Sequence, residues 1–237
     1  MIRLSKKPLE GIRVIDSSYV FAGPYATGLL GDLGAEVIKV EGPTRPDFTR
    51  GGAFSGLLPE NEPKDDPWNR MSAYNLVNRG KKSLVLDLTR KEGRDVFVDL
   101  LKKSDVLVEN FKVGDMQRYG LDHASLKQLN PRLVYCSVTG YGQTGPYANK
   151  AGYDFAVQAL GGLMSVTGER DDAGGGPQKV GVAVADLFTG MYATVAILAA
   201  LRHAERTGMG QHIDMCLLDT QVAMLANLGA NYLVNSP

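Results

Sequence analysis

Short apolar runs that predict β-strands alternate with helical patterns through most of this chain, and this alternation restricts the fold more than any other feature. Predicted strands cover residues 12–16, 36–40, 83–87, 105–109, 132–138 and 211–215. Long helices are predicted at 23–33, 89–103 and 184–206, with shorter ones at 114–119 and 123–129. Strands joined through helices pair in parallel and place helices on both faces of the sheet. The sequence therefore predicts an α/β fold with a doubly wound, mostly parallel, Rossmann-like sheet.

The charge balance of the chain restricts its partners. The 237 residues contain 26 Lys and Arg against 26 Asp and Glu, so the formal net charge is zero. A neutral chain has no global attraction for nucleic acids or membrane surfaces, and any anion site must be built from local positive charge. The histidines and the two cysteines show no metal-ligand spacing, and both cysteines lie in apolar runs typical of buried thiols in a reducing compartment. We therefore expect no metal, no nucleic-acid partner and a cytoplasmic location.

The longest uncharged stretch, residues 187–201, raises the question of a membrane span. It has 15 residues, whereas a spanning helix needs about 20. It is also rich in Ala, Gly and Thr. The pattern favours a buried core helix, and no membrane partner is expected.

Three segments near the carboxyl ends of strands could hold an anionic ligand, because ligands of open parallel sheets bind there. Residues 19–24 offer small side chains and a helix start, although such a turn can equally bind nothing. Residues 78–82, together with Arg90 and Lys91, supply five basic side chains, either for phosphates or as a solvated basic face. Asn110, with Arg118 beyond it, could hold a ligand amide or phosphate, or could cap a helix.

Asp186 is an isolated carboxylate. It is the only charged residue between Lys179 and Arg202 in the sequence, and a lone carboxylate among apolar residues is costly unless it is paired or functional. It falls in the first turn of a predicted helix, where the helix dipole favours the ionised form. An ionised but poorly hydrated carboxylate suits nucleophilic attack on a thioester. The alternative is an ordinary first-turn Asp.

Five segments, in this order and spacing, resemble the family III CoA-transferases of the CaiB/BaiF type. They are residues 31–41, 105–111, 137–142, 152–154 and 186–191. The resemblance covers essentially the whole chain and implies that Asp186 is the catalytic nucleophile. It implies transfer of CoA from an acyl-CoA donor to a carboxylic acid acceptor, through mixed-anhydride and aspartyl-CoA thioester intermediates. The expected donor is succinyl-CoA and the expected acceptor a dicarboxylate, with CoA acting as a substrate and not as a bound prosthetic group.

The same resemblance implies which residues contact CoA. After the first strand these are Val20, Phe21 and Ala22, and near the nucleotide end they are Leu86, Asp87, Leu88, Thr89 and Arg90. Asn110, Phe111 and Lys112 would contact pantetheine or phosphates, Arg118 a phosphate, and Tyr153 and Asp154 would line the pocket beside the thioester. Gly42 departs from the pattern, because some relatives carry an Arg there that aids CoA binding.

The resemblance also implies a domain division. Residues 1–200 would form a large Rossmann-like CoA-binding domain, and residues 201–237 the end of the long helix and the start of a linker to a second domain absent from this chain. Family members are homodimers in which two chains interlock. Since a chain ending at Pro237 would not close that ring, we expect it to be inactive on its own.

Two other functions stay open. The same fold carries α-methylacyl-CoA racemases, which use a His at the position of Tyr153 as a base. A phenol is a poor base at neutral pH, which favours the transferase. The chain could also be an inactive CoA-binding fragment. Exchange of the α-proton in deuterated water would identify a racemase, and CoA binding without turnover would identify a fragment.

Overall fold

One parallel sheet organises the molecule. The computed structural model describes residues 6–51, 58, 60, 62 and 64–235. Within them the strands are β1 (Arg13–Ser17), β2 (Glu36–Glu41), β3 (Lys82–Val85), β4 (Val106–Glu109), β5 (Val134–Thr139) and β6 (His212–Cys216). Neighbouring strands pair in parallel throughout, in the order β3-β2-β1-β4-β5-β6. The predicted α/β fold with a doubly wound parallel sheet is confirmed.

Helices cover both faces of this sheet. They are α1 (Ala22–Asp32), α2 (Ser72–Asn78), α3 (Lys91–Leu101), α4 (Asp115–Arg118), α5 (His123–Leu129), α6 (Asp154–Leu160), α7 (Val184–Thr207), α8 (Leu217–Met224) and α9 (Ala226–Asn235). On one face, Leu30 of α1 and Ile197 of α7 are fully buried against alternate strand residues. On the other, Phe97 of α3 and Leu126 of α5 fill a second core. Burial of each such side chain stabilises the fold by about 1.5–3 kcal/mol.

The strand order reverses next to β1. The chain builds β2 and β3 on one side of β1, then returns to add β4, β5 and β6 on the other side. The connections that follow β1 and β4 therefore diverge, and open α/β sheets bind ligands in the crevice that such a reversal leaves. A ligand site is therefore expected at the residues just beyond Ser17 and Glu109.

The long apolar helix α7 is a core helix, as predicted. By length and composition it could cross a membrane, with a mean hydropathy of 1.7 over its most apolar window, but Ala193, Ile197 and Leu201 are buried in the core. Gly190 allows it to approach α1 closely, because a Cβ there would lie 2.8 Å from the carbonyl oxygen of Ala22. This contact holds the first turn of α7, and with it Asp186, beside the connection between β1 and α1.

The third strand and the helix after it differ from their predicted bounds. β3 ends at Val85, before Asp87. The Oδ1 of Asp87 accepts hydrogen bonds from the backbone N–H and the hydroxyl of Thr89, at 3.0 and 2.6 Å. The Asp side chain therefore folds a local turn that competes with the strand. The helix predicted to begin at residue 89 begins two residues later, at Lys91, and the residue before it, Arg90, makes no capping side-chain bond.

The segment after residue 200 contributes directly to the sheet. β6 pairs with β5 over five residues, and α8 follows it immediately. Residues 201–216 thus extend the large domain beyond the boundary at 200, and the second domain remains a prediction. The segment between β2 and α2 falls partly outside the described residues, and its described portion includes short turns at Phe48–Arg50 and Pro67–Asn69. Both cysteines are buried free thiols, as predicted.

Candidate active site

A buried charge cluster fixes the connection between β1 and α1. The Oδ1 of Asp16 accepts bonds from the backbone N–H and hydroxyl of Ser18, at 3.0 and 2.5 Å. Lys81 Nζ lies 2.7 Å from Asp16 Oδ2, while Lys39 Nζ donates to the carbonyl of Ser18 and lies 3.2 Å from Asp47. Burial alone would raise the pKa of Asp16, but Lys39 and Lys81 hold it well below its usual range. The cluster therefore anchors this connection through paired charges.

The next two residues of this connection are held by side chains from elsewhere in the chain. The Oδ1 of Asn110 accepts from the backbone N–H of Tyr19, and its Nδ2 donates to the carbonyl of Tyr19, both at 2.8 Å. Val20 has φ +72°, a strained conformation for a β-branched residue that costs about 1–3 kcal/mol. Its N–H donates to Asp47 at 3.2 Å. The alternative in which Asn110 caps a helix was wrong, because its amide instead bonds the turn at Tyr19 and Gly114 precedes the next helix.

The two anchored connections enclose a cavity of about 410 Å³ at the reversal of the strand order. It brings together eight of the residues that the sequence predicted for the site. They are Val20, Phe21, Ala22, Asn110, Phe111, Lys112, Tyr153 and Asp186. Residues from four separate parts of the sequence therefore meet around one space, at the place where an α/β sheet binds its ligand.

Asp186 lies half-buried in the wall of this cavity, in the first turn of α7. Burial raises its pKa to about 7, and the nearby carboxylate of Asp154 adds to the rise. The expected preference for the ionised form at a helix start is therefore overridden by desolvation and like-charge repulsion. Close to neutral pH, this carboxyl exchanges its proton readily.

Asp154 lies behind Asp186 and is itself buried. One of its oxygens, Oδ2, accepts a hydrogen bond of 3.1 Å from the backbone N–H of Asp186. The predicted position of Asp154 in the pocket lining differs from this arrangement, because the residue points into the protein and supports the start of α7. Its neighbour Tyr153, with 62 % of its surface exposed, lines the cavity.

The residues predicted for the nucleotide end of CoA lie away from this cavity, on the connection between β3 and α3. Leu86 and Leu88 pack into the second core, and Asp87 bonds Thr89. Arg90 and Arg118 are exposed, with acidic neighbours Glu92 and Asp115 at 3.6 and 3.1 Å. β3 is an edge strand two positions from β1. Contact of these residues with CoA stays a prediction.

The basic side chains of residues 78–82 form ion pairs within the fold. Arg79 pairs with Asp32, Lys81 with Asp16, and Lys82 with Glu36. Each cation already has an acidic partner from a different part of the chain, and the role of this segment as a phosphate cluster stays a prediction.

Lys150 is a cavity residue that sequence reasoning missed. It is exposed, lies over the ring of Tyr147 at 3.9 Å, and has no acidic partner among the described residues. Close backbone contact brings its segment to the sheet, because a Cβ on Gly140 would lie 2.4 Å from the Cα of Gly152. Both glycines fall in segments that carried the family resemblance, but nothing in the local pattern marks Lys150. The cavity is also lined by three residues that no sequence pattern had indicated, Thr139, Asn149 and Leu217.

The cavity thus combines two cations with one titrating carboxyl. Lys112 and Lys150 are exposed on its wall, and Lys112 likewise lacks an acidic partner in the described part of the chain. Among these residues no group of three or more His, Cys, Asp or Glu could hold a metal ion. The arrangement can bind an anionic ligand at the lysines and present Asp186 to its reactive end.

Comparison with known proteins identifies the group to which this chain is similar. The family model described as CoA-transferase family III matches residues 9–237. A succinate–glutarate CoA-transferase of Agrobacterium fabrum is 53% identical over 97% of this chain and 56% of its own length. The human succinyl-CoA:glutarate CoA-transferase is 44% identical over 96% of this chain and 49% of its own length.

Solved structures agree with this. A CaiB/BaiF family protein from Brucella suis superposes with a TM-score of 0.87 at 47% identity, and the match covers 98% of this chain and 59% of that one. This chain spans about half the length of the curated relatives that it matches. The match to the family model extends over nearly the whole sequence, and the resemblance inferred from its motifs is confirmed. The chain belongs to the family III CoA-transferases.

Proposed function

We propose that Asp186 is the nucleophile of a CoA-transferase that moves CoA from succinyl-CoA to a dicarboxylic acid such as glutarate. The observation that carries this proposal is the position of Asp186 in a cavity wall that also presents two lysines with no acidic partner among the residues that the structure describes. The choice of substrates follows the names of the relatives with 53% and 44% identity. Both names describe transfer between C4 and C5 dicarboxylates.

The proposed reaction begins when the ionised carboxylate of Asp186 attacks the thioester carbonyl of the acyl-CoA. The C–S bond breaks, CoA leaves as a thiolate, and a mixed anhydride joins the acyl group to Asp186. The thiolate then attacks the Asp186 carbonyl, which releases the donor acid as a carboxylate and leaves an aspartyl-CoA thioester. The acceptor carboxylate displaces the thiolate to form a second anhydride, and the thiolate attacks the acceptor carbonyl. The products are the new acyl-CoA and free Asp186 carboxylate.

Local positive charge supports the binding of CoA in this proposal. Lys112 and Lys150 would attract phosphate oxygens, and the exposed Arg90 and Arg118 would contact more distant parts of the nucleotide. Phe21 and Phe111, which both line the cavity, offer apolar surface to pantetheine. CoA is a substrate here, bound and released in each turnover.

We further propose that catalysis needs the additional length found in the relatives, as a second domain and an interlocked homodimer. Two exposed apolar surfaces support this. On α7, Met191 and Val195 are exposed, and on α9, Tyr232 and Leu233 are exposed by 71% and 80%. Large exposed apolar areas mark protein interfaces. The 237-residue chain alone would leave the cavity open to water, which hydrolyses anhydrides. A cytoplasmic location is part of the same proposal.

Trapping of the covalent intermediate tests the proposed nucleophile. The full-length protein is incubated with succinyl-CoA, treated with hydroxylamine, and digested for peptide mapping. A hydroxamate on Asp186, absent from the Asp186→Asn variant, is the expected result. A hydroxamate on another residue, or normal turnover by Asp186→Asn, would exclude the assignment. Lack of α-proton exchange in deuterated water separates the transferase from a racemase.

A further inference from the structure

A second buried residue of α6, Gln158, lies behind the Asp154–Asp186 pair. Gln158 is fully buried, one helical turn beyond Asp154. A buried amide needs partners for its oxygen and its nitrogen, because an unsatisfied polar group in the core costs about 1–3 kcal/mol. Both ends of this amide are used.

The orientation of the Gln158 amide is fixed by the backbone. Its Oε1 accepts a hydrogen bond of 2.9 Å from the backbone N–H of Val180. A backbone N–H can only donate, so the oxygen must face Val180 and the nitrogen must face the other way. The Nε2 consequently points to Asp154 Oδ1, at 2.5 Å.

The Gln158 amide determines what Asp154 can do. Asp154 Oδ1 receives the Gln158 N–H, and Asp154 Oδ2 receives the backbone N–H of Asp186. Each oxygen accepts one hydrogen bond, and a proton on either oxygen would weaken the bond that this oxygen accepts. An ionised carboxylate makes both bonds at full strength, whereas a protonated one makes them more weakly.

We propose that Gln158 is a positioning residue that fixes Asp154 as the charged member of the Asp154–Asp186 pair, so that Asp186 is the carboxyl that gains and loses the proton. This inference deepens the proposed function, on which its catalytic meaning rests. Burial raises the pKa of Asp186 to about 7, and the charge on Asp154 adds to the rise. The other ionisable side chains on the cavity wall are Tyr19, Lys112, Lys150 and Tyr153.

The same three hydrogen bonds also hold the nucleophile in place. Val180 lies four residues before the start of α7, Gln158 and Asp154 lie on α6, and Asp186 lies in the first turn of α7. The hydrogen bonds thus connect α6 to the segment that precedes α7 and to the first turn of α7. A proton-exchanging carboxyl at a fixed position can supply its ionised form for attack at neutral pH and remain uncharged in a dry site at lower pH.

The test measures protonation of Asp186 without substrate. A diazo reagent esterifies protonated carboxyls, and peptide mapping at a series of pH values gives the labelling midpoint of Asp186 in the full-length protein. Gln158→Met removes both hydrogen bonds at similar volume. We expect the Asp186 midpoint to fall by about 0.5–1 pH unit, because loss of the Gln158 N–H weakens the stabilisation of the Asp154 charge that repels a charge on Asp186. Labelling of Asp154 should rise in the same digest.

Gln221→Met is the matched control. Gln221 is also fully buried, and its amide nitrogen faces the carbonyls of Val157 and Gly161 on α6, at 3.1 and 3.2 Å. It contacts neither Asp. A merely structural role for Gln158 predicts equal shifts in the two variants, or no shift in either, and each of those results overturns the proposal.

Asp154→Asn covers the case in which Gln158→Met does not fold. It removes the charge itself, so the Asp186 midpoint should fall by more than in any Gln158 variant, and an unchanged midpoint contradicts the proposal. The labelling needs no acyl-CoA. Absence of the succinyl-CoA adduct would therefore refute the proposed function alone, whereas an unmoved midpoint beside a normal adduct would refute this inference alone.

Discussion

Replacement of the candidate nucleophile should make the protein more stable at alkaline pH. The pKa of Asp186 rises from 3.8 to about 7 on folding, because burial and Asp154 disfavour its charge. Between these values the folded state holds a proton that the unfolded state releases. Folding stability therefore falls as pH rises through this window, and the full penalty applies above about pH 7.

The size of the penalty follows from the pKa. At about 1.4 kcal/mol per pKa unit, the rise corresponds to about 4 kcal/mol. Asp186 is only half-buried, and solvent screening reduces the figure to about 2 kcal/mol. The Asp186→Asn variant removes the charge at nearly constant shape. At pH 8 it should be more stable than the wild type by this amount, which is about 4–8 °C in the melting temperature of a domain of this size.

Thermal unfolding followed by circular dichroism at pH 5 and pH 8 measures this effect. The stabilisation should be small at pH 5, where the wild-type carboxyl is already largely protonated. Lys103→Ala, an exposed substitution outside the cavity lining, is the control and should leave the melting temperature unchanged at both pH values. Equal melting temperatures for wild type and Asp186→Asn at pH 8 would refute the raised pKa. A stabilisation of the same size at pH 5 would show that its cause is not the charge.

Three further substitutions test other parts of the structure. Gly140→Ala should destabilise the protein by about 2–3 kcal/mol in urea unfolding, because a Cβ there would lie 2.4 Å from the Cα of Gly152, and an unchanged midpoint would contradict that contact. Lys81→Met should cost about 3–5 kcal/mol at pH 7 by leaving the buried Asp16 with one fewer cation, whereas a solvated basic face predicts almost no change in the same urea assay. Lys150→Ala should weaken binding of CoA about 3- to 10-fold in titration calorimetry at low salt and less at high salt. Lys103→Ala is again the control, and equal binding by the two variants would exclude Lys150 from the CoA site.

The fold could be predicted because its signal is local. Each strand of the sheet contains apolar residues at neighbouring or alternate positions, and the alternation of strands with helices determines parallel pairing. The third strand was predicted to continue to Asp87. It ends earlier because the side chain of Asp87 makes hydrogen bonds to Thr89 and folds a turn there. Such competition between a side chain and the strand depends on geometry that the sequence pattern does not display.

The candidate site was predictable where a residue type is unusual for its surroundings. Asp186 stands alone among apolar residues, and that isolation was visible. The ion pairs of Lys81 and Arg79 were not visible, since their partners Asp16 and Asp32 lie 65 and 47 residues away. Lys150 was missed for the same reason, because only the approach of Gly140 and Gly152 brings its segment to the cavity.

Transfer of oxygen from the acceptor to Asp186 tests the central claim most directly. The full-length protein is incubated with succinyl-CoA and glutarate labelled with oxygen-18 in its carboxylates, and the peptide that contains Asp186 is analysed by mass spectrometry. If the acceptor carboxylate forms an anhydride with Asp186 and CoA thiolate then attacks the acceptor carbonyl, the bridging oxygen stays on Asp186. After a single turnover, the account predicts one oxygen-18 in the Asp186 carboxyl. Formation of glutaryl-CoA with no label on Asp186 would contradict it.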